Sequence, residues 1–163
     1  MPRLQGSCHC GRVRFEVVSH TPEPYQNCYC TVCRKTQGGG GHAIVVMGEA
    51  DTLEVTGEEH LAVYRAGEAD RHGSTPGAAA RHFCRHCASN LFLRDDGAPK
   101  WVYPFASAID TALPVPPERT HIRLYDKAPW VEVLDTPEDL LFGDAPDETI
   151  EGWHRRTGLY RAD

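Results

Sequence analysis

With 163 residues, 40% apolar and 25% charged side chains and a formal net charge of −6, the chain has the size and balance of one folded soluble domain rather than a disordered segment. Mild acidity gives no overall field that would draw nucleic acid or an anionic membrane surface, so neither is expected as a partner. No apolar run approaches the roughly 18 residues of a membrane-spanning helix, and no apolar signal core follows Met1–Gly6, which predicts a cytoplasmic protein.

Along the chain, Gly6-Ser7-Cys8-His9-Cys10-Gly11 is a glycine-flanked turn carrying a first pair of thiols. The alternation of Val13, Phe15 and Val17 with polar residues then predicts a half-buried strand. Pro22 and Pro24 break the chain before a second group, Cys28-Tyr29-Cys30-Thr31-Val32-Cys33. Arg34 and Lys35 follow, then four glycines, Gly38 to Gly41, that permit close backbone approach to a ligand or form a flexible turn. His42–Met47 reads as an apolar strand, Thr52–Thr56 and Leu61–Arg65 as two more, and the Gly-, Asp- and Pro-containing stretch 67–80 as an exposed loop. A third group, Cys84-Arg85-His86-Cys87, precedes a strand at Asn90–Arg94 that turns at Asp95-Asp96-Gly97. Trp101–Ala106 reads as a core strand that Pro104 interrupts or confines to an edge. His121–Tyr125 is a further short strand, Thr136-Pro137 marks a helix start, and the tail from Ile150 predicts a short helix or surface turn. Many short strands and few helical patterns predict a mostly β domain spanning 1–163.

All seven cysteines lie in the three groups, and an odd number in a reducing compartment argues for metal-bound or free thiols over disulfides. Seven divides into four plus three. Cys8, Cys10, Cys84 and Cys87 would close a tetrahedral structural zinc site, whose binding energy is also folding energy. Cys28, Cys30 and Cys33 would leave one position open for water, a histidine or a small-molecule thiol. A second grouping, with Cys28 or Cys30 and Cys33 joining Cys84 and Cys87, leaves Cys8 and Cys10 unused. His9, His42 or His86 could complete the three-cysteine site as a closed structural one.

These motifs, with Arg34-Lys35 after the second group, Phe83 before the third, His121-Ile122 and Asp126-Lys127-Ala128-Pro129-Trp130, resemble the glutathione-dependent formaldehyde-activating enzyme family, also called the GFA or CENP-V-like domain, over roughly residues 4 to 135. The resemblance implies an Mss4-like fold of coiled antiparallel sheets around a structural zinc held by Cys8, Cys10, Cys84 and Cys87. It implies a second zinc on Cys28, Cys30 and Cys33, linked to catalysis. It also implies a carbon–sulfur lyase that handles a small thiol adduct, S-hydroxymethylglutathione, with glutathione as small-molecule partner. Arg34, Lys35, Gly39 and Gly40 are the candidate contacts to that thiol ligand. Two local departures stand out: Ala88 follows Cys87 where the family has glycine, and Gly38–Gly41 is unusually glycine-rich. Two other readings use the same residues: a noncatalytic zinc-scaffolded binding module presenting Trp101, Trp130 or Trp153 to a partner, and a redox switch in the middle cysteines.

Overall fold

In a computed structural model of the chain, residues 2–37, 39–66 and 79–162 are described. The first half holds β1 (Arg3–Ser7), β2 (Arg14–Val18), β3 (Gln26–Cys28), α1 (Thr31–Gln37), β4 (Ala43–Ile44), β5 (Gly48–Glu49), β6 (Glu54–Thr56) and β7 (Leu61–Arg65). The second half holds β8 (Ala79–Cys84), β9 (Asn90–Asp95), β10 (Trp101–Pro104), β11 (Thr120–Ile122), β12 (Leu140–Leu141) and α2 (Ile150–Arg156).

The strands form three open sheets, ordered β1-β2-β6, β5-β10-β9-β8-β7 and β12-β11-β3-β4. The coiled antiparallel arrangement expected of an Mss4-like fold is not found. No sheet is curled or closed, and the third mixes directions: β11 runs parallel to both β3 and β12, while β4 is antiparallel to β3. The parallel pairs arise because β3, β11 and β12 are joined by long connections, which leave their direction free.

The main core lies between the first two sheets. Leu4, Phe15 and Val17 face Leu91, Phe92 and Val102, and the Phe15 and Phe92 rings meet edge to face at 5.8 Å. Each such side chain contributes about 1.5–3 kcal/mol by leaving water. Cys8 and Cys84 are part of this cluster, so the first and third thiol groups are anchored in the main core. A second cluster gathers Cys30, Cys33, Ala43 and Phe105, and a third holds Tyr29, Ala128 and Val131.

Several local expectations change. The predicted strand 42–47 is split, with Ala43–Ile44 pairing β3 and Gly48–Glu49 pairing β10, because the segment crosses from one sheet to another. Pro104 ends β10, an inner strand, rather than marking an edge. Ala79 and Ala80 belong to β8, whereas the rest of the predicted 67–80 loop lies outside the described residues, as does Gly38. The helix expected at Thr136-Pro137 is a turn. Asp139 accepts hydrogen bonds from the Thr136 and Arg119 backbone N–H groups at 3.1 and 2.7 Å, and the chain enters β12 instead. The tail does form a helix, α2, capped by Thr149 accepting from the Gly152 N–H at 3.0 Å. Trp153 on α2 is fully buried and stacked on Tyr25 at 3.8 Å, whereas Trp130 is 66% exposed.

Candidate metal centres

The turn after β1 builds half of the first cluster. The Cys8 N–H donates to the Val13 carbonyl at 3.0 Å, and the Val13 N–H points back at Cys8 Sγ at 3.3 Å. The other half is the knuckle between β8 and β9, where the Ala88 N–H donates to the Cys84 carbonyl at 2.8 Å. Ala88 turns this corner at φ 59°, the left-handed region that favours glycine. Cys8 and Cys10 sulfurs are 3.5 Å apart, and Cys10 and Cys84 sulfurs 3.7 Å. With Cys87, all four sulfurs lie within 4.8 Å of one another. These separations far exceed a disulfide bond and match the edge, about 3.8 Å, of a tetrahedron with 2.3 Å metal–sulfur bonds. Burial pushes the Cys87 thiol up, but hydrogen bonds from Ser89 and Cys10 outweigh it and hold its pKa at about 5, while burial raises Cys84 to about 11.

Cys28 ends β3, and Cys30 and Cys33 flank the start of α1, so a strand-to-helix turn brings their three sulfurs within 4.8 Å of one another. The turn is held by Tyr29 N–H to the Ile122 carbonyl at 3.0 Å and by Cys33 N–H to Cys30 Sγ at 3.3 Å. Hydrogen bonds from Cys28 and Cys33 hold the Cys30 thiol well below the ordinary range, while contacts with Cys30 and Cys33, with burial, push Cys28 up. A cation entering either cluster meets soft sulfur donors that release protons to it. Both donor sets suit zinc: four sulfurs that complete a tetrahedron, and three that leave a corner. Among the described residues no histidine or carboxylate joins either group. His86 pairs with His60 at 3.1 Å, His42 lies against the Tyr29 ring at 5.1 Å, and His9 is fixed through its backbone N–H to Ser89 at 3.1 Å.

The ring of Tyr29, between two cysteines, is buried, and its hydroxyl lies 2.9 Å from His121 Nδ1. His121 Nε2 faces Asp139 Oδ2 at 3.5 Å, longer than a normal hydrogen bond. Burial works against the Asp139 charge, but the Arg119 and Thr136 N–H groups and His121 hold its pKa below the usual range. With the ring proton on Nε2, the side facing Asp139, Nδ1 would accept from the Tyr29 hydroxyl. Sequence reasoning missed this chain; three residues at positions 29, 121 and 139 carry no shared spacing. It also missed Arg81, which is 5% exposed and has Nη2 4.0 Å from Cys33 Sγ.

Two cavities adjoin the clusters. One, of about 340 Å³, is lined by Gln37, Gly39, Gly40, His42, Ala43 and Ser107, and Ala43 packs on Cys30 and Cys33. The other, of about 550 Å³, lies between the Cys8–His9 turn and the end of α1 at Thr36 and Gln37. The side-chain amide of Gln37 donates to Ser107 at 2.8 Å, and both residues border both spaces. Gly39 takes φ 60° and would meet nothing with a Cβ, so the glycine loop is open on that side. Arg34 and Lys35 stand in the last turn of α1.

The fold and these clusters define a strand-rich protein with two thiol-only sites able to coordinate a metal ion. The profile of the glutathione-dependent formaldehyde-activating enzyme family matches residues 3–125, and the chain belongs to that family. A Halomonas elongata protein with the provisional name glutathione-dependent formaldehyde-activating enzyme is 54% identical over 156 residues, covering 96% of this chain and 97% of its own. A crystal structure of a Rhodobacter sphaeroides protein superposes with a TM-score of 0.53 at 25% identity, over 68% of this chain and 91% of that one. Among the described residues no helix is long and apolar enough to cross a membrane.

Proposed function

We propose that the chain is a zinc-dependent carbon–sulfur lyase whose substrate is a thiol adduct of formaldehyde, S-hydroxymethylglutathione, and that the reaction is centred on Cys28, Cys30 and Cys33. The observation that carries this reading is the unequal pair of clusters: four sulfurs in one, and three in the other with no fourth protein donor among the described residues. Family membership and the name of the 54% identical relative supply the thiol and the aldehyde. In this reading Cys8, Cys10, Cys84 and Cys87 hold a structural zinc, and Cys28, Cys30 and Cys33 hold a second. Zinc bound by three thiolates supplies a Lewis acid beside which a thiol loses its proton more readily.

The remaining work falls to the chain. The cavity of about 340 Å³ beside the cluster takes the thiol peptide, with the Gly39 and Gly40 backbone free to approach it closely. Gln37, His42 and Ser107 offer side-chain polar groups at its wall, and Arg34 and Lys35 give the end of α1 a positive charge suited to a carboxylate. Holding thiol and aldehyde together raises the effective concentration for forming the sulfur–carbon bond. The balance is simple: the thiol sulfur bonds the aldehyde carbon, the carbonyl oxygen gains a proton and the thiol loses one; the lyase direction reverses each change.

Exchange spectroscopy of ¹³C-formaldehyde with glutathione, with and without the zinc-loaded protein, tests the reading. Acceleration over the uncatalysed exchange is expected, together with its loss in Cys30→Ser, a variant that keeps the four-cysteine site filled. Equal exchange rates with and without protein, or full activity in Cys30→Ser, overturn the proposal.

A further inference from the structure

Beside the three-cysteine cluster, Arg81 is a buried cation that has no carboxylate partner among the described residues. It sits on β8, opposite Leu93 of β9, and Leu93 packs against the Cys30–Cys33 cluster. Its side chain is withdrawn from water, and among the described residues its Nε and Nη1 have no hydrogen-bond acceptor. Only Nη2 finds a neighbour, Cys33 Sγ at 4.0 Å. A guanidinium stays charged at any physiological pH, and burying one without an anion costs several kcal/mol. Among the described residues, the group placed to supply the compensating charge is the cluster, through Cys33. Three thiolates around a divalent cation carry one net negative charge, which one arginine cancels. The four-cysteine cluster, whose Cys10 is exposed, has water to screen its charge.

We propose that Arg81 is the built-in counter-ion of the three-cysteine site, a positioning residue that neutralises the filled centre and directs an N–H at the Cys33 sulfur. This rests on the reading of Cys28, Cys30 and Cys33 as a metal site. Outer partners of metal ligands typically contribute tenfold to a hundredfold in affinity, and an arginine fork is not replaced by a lysine point charge without loss.

Cobalt(II) loading tests it, because sulfur-to-cobalt charge-transfer bands report the electron density on the sulfur directly. The four-cysteine spectrum is recorded alone in Cys30→Ser and subtracted. In Arg81→Met the remaining bands should move to lower energy, since a sulfur relieved of a nearby cation and N–H gives up electrons more easily. Cobalt should also be stripped from that site by chelator at about tenfold to a hundredfold lower concentration. Arg81→Lys should fall between wild type and Arg81→Gln, which keeps N–H groups but no charge. A role in packing alone would lower thermal stability without moving the bands. If Arg81→Met does not fold, the Lys and Gln variants carry the same comparison. Unmoved bands and unchanged chelator resistance in the Gln variant overturn the counter-ion role while leaving the metal site intact. A wild type that binds cobalt only at the four-cysteine cluster overturns this inference and the metal reading together.

Discussion

Replacing Trp153 tests whether the segment beyond the family-matched region supports the three-cysteine turn. Trp153 is completely buried, lies face to face with Tyr25 at 3.8 Å with a 9° interplanar angle, and donates its indole N–H to Glu118 at 2.9 Å. Tyr25 immediately precedes β3, so the stack braces the strand that ends in Cys28. Trp153→Ala removes the whole ring and is expected to cost about 3–5 kcal/mol. Trp153→Phe keeps most of the stack and loses the N–H donor. Glu118 retains Arg156 at 2.6 Å, which keeps that loss to about 1–2 kcal/mol. For a chain of this length each kcal/mol moves the melting midpoint by about 2–4 °C, giving falls of about 6–20 °C for Ala and about 2–8 °C for Phe. Thermal unfolding followed by circular dichroism at fixed zinc concentration measures both, and zinc retention reports whether the loss reaches Cys28. A Trp153→Ala midpoint within about 2 °C of wild type would refute the claim that α2 is a structural brace.

Other outcomes follow from single contacts. His154 is buried, with Nδ1 2.7 Å from the Ile150 carbonyl and Nε2 2.8 Å from Glu23; burial lowers its pKa from 6.5, more than Glu23 raises it. The unfolded chain therefore takes up the proton first. The stability contributed by His154 is complete above about pH 6.5 and is lost as the pH falls towards the folded value. Denaturant titrations across that window should give a shallower loss in His154→Gln than in wild type; parallel curves exclude the assignment. Ala88→Gly should raise the melting midpoint, because relief of about 1–2 kcal/mol at a left-handed alanine exceeds glycine's entropic cost of about 0.5–1 kcal/mol. A lower midpoint would show that the knuckle is unstrained. Tyr29→Phe strips the 2.9 Å partner from His121, leaving Asn27 at 3.5 Å, and should destabilise by about 1–3 kcal/mol while metal stoichiometry stays unchanged; urea midpoints and zinc analysis check the two halves.

The two clusters were legible because sulfur ligands must come from tight turns, and C-x-C and C-x-x-C spacings record those turns directly. The α2 helix was legible in the tail from Ile150 only as one of two options, a short helix or a surface turn. The mixed sheet was not, since β3 and β11 are three residues each and too short to show alternation. Thr136-Pro137 carried a real helix-start signal, but Asp139 offered the same backbone groups a competing acceptor and β11 offered the next residues a parallel partner. Arg81 stood out in no way, lying between a predicted loop and the third thiol group. The available hint was period two, which puts it on the same side of β8 as apolar Phe83. The Tyr29–His121–Asp139 contacts depend on that unforeseen parallel pairing.

Arg81 and Cys84 are three positions apart on one uninterrupted run of β7–β8 pairing, which spaces them by about 10 Å and turns them to opposite sides. One strand thereby serves both sulfur clusters. Sliding it by a single position against β7 would reverse both side chains at once, taking Cys84 from one sulfur cluster and the Arg81 cation from the other. A misaligned β8 thus disturbs both clusters together, and correct threading of that one ribbon is checked in two places.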